Sequence, residues 1–94
     1  MELSIGKPKT KNNFLTTREI EYLSLVALGC SNKNIAKHLF VSYNTVKKTL
    51  ENIFLKLGAK DRANAVTICF IHQLITPQSL TKKFEYYKSY LNHN

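Results

Sequence analysis

Asn44, Thr45, Lys47, Lys48, Glu51 and Lys56 are the residues of this chain whose types and spacing best suit them to chemistry, because a helix through them carries all six on its polar side. All but Glu51 can donate a hydrogen bond to an anion, whereas an ionised Glu51 can only accept one. A helix side with that inventory is fitted to hold a polyanion at several points rather than to make or break a bond. The other side carries Val46, Leu50, Ile53, Phe54 and Leu57 at i, i+4, i+7, i+8 and i+11, a core stripe that ends at Gly58. Such a helix is anchored by one face and free on the other.

The whole chain shares this bias towards anions. Fourteen Lys and Arg against six Asp and Glu give a formal charge of +8 over 94 residues. The excess is not spread evenly: Lys33, Lys37, Lys47, Lys48, Lys56, Lys60 and Arg62 fall in or beside the segment Ser31–Leu57, while the helix before it, around Glu19 and Glu21, is close to neutral. Nucleic acid is the polyanion this placement implies. The bland alternative is a solubilising surface, which would not need the charge gathered on one segment.

Other classes of function fare badly. Neither paired carboxylates, nor a nucleophile beside a base, nor a glycine-rich phosphate loop is present, and a chain this short buries only about 60% of its unfolded surface, which leaves little room for a catalytic cleft. Enzyme activity is therefore not expected. Cys30 and Cys69 form no CxxC pair and are most simply reduced thiols; His38, His72 and His93 stand singly, so neither a metal nor another cofactor is expected. No apolar run reaches the ~18 residues needed to span a bilayer, and Met1–Asn13 lacks the apolar middle of a signal peptide, so the expected location is the cytoplasm, with no membrane partner.

Five helices are expected to position these groups. Residues 1–13, with Gly6, Pro8 and spaced lysines, read as a basic flexible tail or linker. Helix one follows Thr16, whose Thr-x-x-Glu spacing to Glu19 is that of a capping box; Tyr22, Leu23, Val26 and Ala27 give its apolar face and Gly29 its left-handed stop. Helix two begins after Ser31 and buries Ile35, Ala36 and Leu39, after which Phe40 and Val41 are expected to supply apolar contact through a tight turn. Ser42 caps the third helix. Two short helices joined in this way form a helix-turn-helix, in which the first braces against phosphates and the second enters the major groove.

The fourth helix opens at Asp61 and is apolar over a wide arc. Ala65, Ile68, Cys69 and His72 can face the core, leaving Val66, Phe70 and Gln73 outside. A helix apolar over so wide an arc usually has two partners, and Val66, Cys69, Phe70 and Gln73 are the candidate dimerisation residues. Thr76-Pro77 starts a fifth helix with Leu80, Phe84, Tyr87 and Leu91 on one face, flanked by Tyr86 and Tyr90; that stripe is expected to pack on helix four or on a second copy.

The segment Leu15–Val66 resembles the C-terminal DNA-binding domain of the LuxR/NarL family of bacterial transcription regulators. The residues that carry the resemblance are Leu15-Thr16-x-Arg18-Glu19, Gly29, Ser31-Asn32-Lys33-x-Ile35-Ala36, Leu39, Ser42, Thr45-Val46-Lys47, Asn52-Ile53, Lys56-Leu57-Gly58, Arg62 and Ala65-Val66. The resemblance implies a four-helix domain whose third helix enters the major groove and whose fourth often mediates dimerisation. It puts Lys47, Lys48 and Glu51 where relatives approach base edges, and Asn44, Thr45 and Lys56 where they meet the DNA backbone, with Ser31, Asn32 and Lys33 as further backbone candidates. The two lysines can donate to guanine O6 and N7 and Glu51 can accept from cytosine N4. The alternatives are that the lysines only neutralise phosphates and that Glu51 pairs with one of them on the helix surface.

Four positions depart from the family pattern. Thr49 stands where His is frequent, Asn34 and Asn64 where acids are common, and Tyr43 is bulky for its place. The family's N-terminal sensory or receiver domain has no counterpart in these residues, which suggests a stand-alone regulator or an output domain.

The expectation is thus an all-α chain: a four-helix helix-turn-helix domain of LuxR type over residues 14–74 and a C-terminal helical extension over 75–94. Its expected function is sequence-specific recognition of double-stranded DNA as a transcription regulator, acting as a homodimer. Further partners would be another regulator or RNA polymerase. The competing reading is a protein-interaction module on the same fold, in which helices four and five bind a partner regulator.

Overall fold

The computed structural model describes residues 15–92, with side chains through residue 89. The expected basic tail, His93 and the side chains of Tyr90 and Leu91 lie outside the described residues. Among the described residues are five helices and no strand: α1 Thr17–Ala27, α2 Asn32–Leu39, α3 Tyr43–Leu57, α4 Arg62–Ile71 and α5 Pro77–Asn92.

Local hydrogen-bonding groups set where the helices start. The Thr16 hydroxyl accepts from the Glu19 N–H at 3.0 Å while the Glu19 carboxylate accepts from the Thr16 N–H at 2.9 Å, completing the capping box. Ser31, Ser42 and Asp61 cap α2, α3 and α4 in the same way, each accepting from the backbone N–H three residues on. Thr76 accepts from the Ser79 N–H ahead of Pro77. Past the end of α1, Gly29 takes φ +90°, a left-handed conformation that lets the Cys30 N–H close onto the Leu25 carbonyl.

Apolar stripes then decide which faces meet. Leu23 and Leu25 of α1, Ile35 of α2, Val46, Ile53 and Leu57 of α3, and Ile68 and Cys69 of α4 are fully buried in one core. Within it α2 packs on α3, α1 packs on α4, and α3 also touches α1 and α4. Each fully buried Leu, Ile or Val side chain is worth about 1.5–3 kcal/mol. The recognition-helix candidate is therefore held along its inner face by Val46, Leu50, Ile53 and Leu57.

Three packing expectations need correction. Cys69 is 0% exposed, so of its two expected placements it takes the core stripe of α4 and offers no surface for dimerisation. Phe40 supplies no contact in the turn: it sits in the left-handed region at φ 59°, ψ 46° with its side chain 89% exposed, and Val41 alone packs on the core. The fifth helix docks on α1 rather than on α4. Gln73, also left-handed at φ 58°, ends α4 and turns the chain, Ile75 is buried beside the turn, and Tyr87 reaches the core. Lys83 Nζ then lies 3.9 Å from the Glu21 carboxylate of α1, and His38 of α2 packs edge-on against the rings of Tyr86 and Tyr87 at 5.5 and 5.6 Å.

Candidate nucleic-acid interface

The turn that joins α2 to α3 sets the aim of the candidate reading helix. The Val41 N–H donates to the Ala36 carbonyl at 3.0 Å, which closes the turn tightly after the left-handed Phe40. Ser42 then accepts from the Thr45 N–H at 3.0 Å and donates to the Thr45 hydroxyl oxygen at 2.9 Å. Thr45 keeps its own proton to donate outward. The Ser31 hydroxyl at the start of α2, which accepts from Asn34 at 3.1 Å, can likewise still donate.

At the first turns of α3, Asn44, Thr45, Lys47 and Lys48 line an open concavity of about 380 Å³, and all four are exposed. Glu51 is exposed one turn further along the helix. These five expected contact residues therefore share the outward side. Ser31, Asn32 and Lys33 stand at the start of α2 and do not line that concavity. The helix dipole of α3 adds partial positive charge at the same end as the two lysines.

Charge is segregated by ion pairing. Among the described residues, the ion pairs are Arg18 with Glu21, Lys56 with Glu19, and Lys83 with Glu21, all of them gathered at α1. Lys33, Lys37, Lys47 and Lys48 enter none of these pairs, and neither does Glu51, so the surface pairing of Glu51 with Lys47 or Lys48 is not formed. The acids of α1 neutralise one side of the domain and leave the other cationic.

Lys56 is the expected contact residue that the fold engages elsewhere. Its ammonium donates to both oxygens of the Glu19 carboxylate, at 2.8 and 3.0 Å, across 37 positions of sequence. Burial pushes the Glu19 pKa up, but the Lys56 ammonium and the Thr16 N–H outweigh it and hold the carboxyl below its usual range. One ammonium proton of Lys56 remains for an outside acceptor.

Arg62 is the structural residue that sequence reasoning passed over. Its guanidinium donates to the Asn32 side-chain carbonyl at 2.7 Å and to the backbone carbonyl of buried Cys30, tying the start of α4 to the start of α2. A signal was available, since a cation in the first turn of a helix opposes the dipole and needs a partner elsewhere. Asn32 keeps its amide N–H groups for another acceptor.

The remaining chemistry-bearing groups are quiet. Burial pushes the Cys69 thiol up to about 11, and burial also raises Cys30 against the opposing pull of a Tyr87 hydrogen bond and Arg62. Both cysteines are free thiols, and neither is a thiolate at neutral pH. Among the described residues no group of three or more His, Cys, Asp or Glu could hold a metal ion, and no helix is long and apolar enough to cross a membrane. On α4, Val66 is half-buried and Phe70 exposed, and Gln73 is exposed in the turn that follows, so these three remain accessible.

Comparison with known proteins places this geometry among regulators. Residues 13–69 match a family described as bacterial regulatory proteins, luxR family. Similar proteins include the probable csgAB operon transcriptional regulatory protein of Salmonella typhimurium and the CsgBAC operon transcriptional regulatory protein of Escherichia coli, each 47% identical over 58 residues, or 62% of this chain and 27% of theirs. The response regulator protein VraR of Staphylococcus aureus is 46% identical over 61 residues, or 65% of this chain and 29% of VraR. The matched segment thus spans less than a third of the length of these curated relatives. Helix α5 lies beyond the family match.

Proposed function

This chain belongs to the luxR family of bacterial regulatory proteins, and on that premise we propose that it is a sequence-specific double-stranded-DNA-binding transcription regulator that inserts α3 into the major groove. The observation that carries the reading is the outward side of α3. Asn44, Thr45, Lys47 and Lys48 are exposed together and unpaired with carboxylates, on a helix whose opposite face is locked into the core.

In this reading Lys47 and Lys48 donate to guanine O6 and N7, and Glu51 accepts from cytosine N4. Ser31, Asn32, Lys33, Asn44, Thr45 and the free proton of Lys56 meet phosphates, which supply affinity and register but no sequence information. The working unit is a homodimer joined through Val66 and Phe70 of α4 and Gln73 of the turn after it, presenting two recognition helices about 34 Å apart. RNA polymerase or a second regulator would then contact the surfaces that DNA leaves free.

Selection of duplexes from a random pool, followed by salt titration of binding, tests the assignment. Wild-type protein should enrich one motif. Lys47→Ala should weaken that motif and relax one base position, whereas Lys33→Ala should weaken all duplexes alike and lower the salt slope by about 1. Weak, sequence-blind binding by every variant would favour the protein-interaction module instead.

A further inference from the structure

Leu55 is 80% exposed, although it is an aliphatic residue near the end of a helix whose inner face is buried along Val46, Leu50, Ile53 and Leu57. It does not lie on a neutral side of α3. At about 100° per residue, Leu55 falls within about 20° of Lys48 and about 40° of Glu51 when viewed down the helix axis. The next residue, Lys56, is turned towards α1 and held there by Glu19. Leu55, not Lys56, therefore continues the reading side of α3 towards its C-terminal end.

A leucine there can do nothing for a phosphate. The groove offers it one apolar feature, the C5-methyl of thymine. Leu55 stands about 10.5 Å along the helix from Lys48 and about 6 Å from Glu51, a reach of roughly three and two base-pair steps. We propose that Leu55 is a specificity-determining residue that packs on the methyl group of a thymine near the edge of the site read by Lys47, Lys48 and Glu51. This rests on the reading of α3 as a major-groove reader and adds to it a base preference that the charged residues alone do not supply.

Deoxyuridine differs from thymidine in lacking that methyl, so it isolates the contact. The test uses the full chain and the duplex enriched from a random pool, with each thymine of one half-site replaced singly by deoxyuridine, against wild-type protein and Leu55→Ala. At one position the wild type should lose affinity by about fourfold, the factor one buried methyl group carries, and Leu55→Ala should lose none. Leu55→Ala should also bind the thymine duplex about fourfold more weakly, with an unchanged melting temperature because the residue is exposed.

Equal sensitivity of the two proteins to every deoxyuridine would overturn the assignment while leaving the DNA reading intact. A change of oligomeric state in Leu55→Ala with no change in methyl sensitivity would assign the leucine to a second copy and overturn it too. Failure of any duplex to be enriched would remove the DNA reading itself, and this contact with it.

Discussion

Replacing Arg62 by alanine breaks a clamp that holds two helix starts together. The side chain donates to the Asn32 Oδ1 and to the backbone carbonyl of Cys30, a residue only 2% exposed. Leaving a buried acceptor without its donor costs about 1–3 kcal/mol, and the lost bond to Asn32, half-exposed, adds about 0.5–1 kcal/mol. Removing a cation from the first turn of α4 returns about 0.3–1 kcal/mol through the helix dipole. The balance is a loss of about 2 kcal/mol, which for a domain of this size lowers Tm by about 8–16 °C. Arg62→Lys keeps the charge but not the two-pronged geometry, and should lose about 1 kcal/mol. Urea unfolding of the three proteins, with calorimetry as a second probe, reads both effects. A lysine variant as stable as the wild type, or an alanine variant within about 0.5 kcal/mol of it, would show that the fork does not hold the helices.

Other perturbations follow from the same contacts. Phe40→Gly relieves a left-handed residue that costs about 1–2 kcal/mol at the smaller entropic cost of glycine, and should raise the urea midpoint by an amount worth about 0.5–1 kcal/mol, because the 89% exposed ring gives up no burial. Tyr87→Ala should cost about 3 kcal/mol in equilibrium unfolding if α5 is a working part of the core; a change too small to measure would make that helix an appendage. Burial holds the His38 pKa below the ordinary histidine range, against the pull of Glu21 and with the push of Lys83, while Tyr86 and Tyr87 face its ring. Stability should therefore be full above the unfolded-state pKa and fall as pH drops towards the folded value. His38→Phe should flatten that fall in stability, which sets in as pH drops below the ordinary histidine value of 6.5.

What the sequence made legible is what short-range rules govern. Thr16, Ser31, Ser42, Asp61 and Thr76 were readable as caps because each satisfies an N–H three residues away, and the α3 stripe was readable because 3.6-residue periodicity is a property of one helix. The gathering of Asn44, Thr45, Lys47 and Lys48 on the outward side followed from that same periodicity.

What escaped depends on which helix meets which. Lys56 finds Glu19 only because α3 crosses α1, Arg62 finds Asn32 and Cys30 only because the start of α4 meets the start of α2, and α5 settles on α1 after the left-handed turn at Gln73. Cys69 lay at the margin of an arc too wide for periodicity to divide, and burial placed it inside. The hydrophobicity of Phe40 alone predicts a packing residue, yet the left-handed backbone of the turn leaves its ring in solvent.

Amide NMR of the full chain titrated with its selected duplex measures, residue by residue, which surface meets DNA, and α3 is the surface expected to do it. Shift changes should concentrate on the outward side of Tyr43–Leu55 and at the start of α2, and leave the Tyr86 and Tyr87 region of α5 unmoved. Changes confined to α4 and α5, with Lys47 and Lys48 undisturbed, would contradict it.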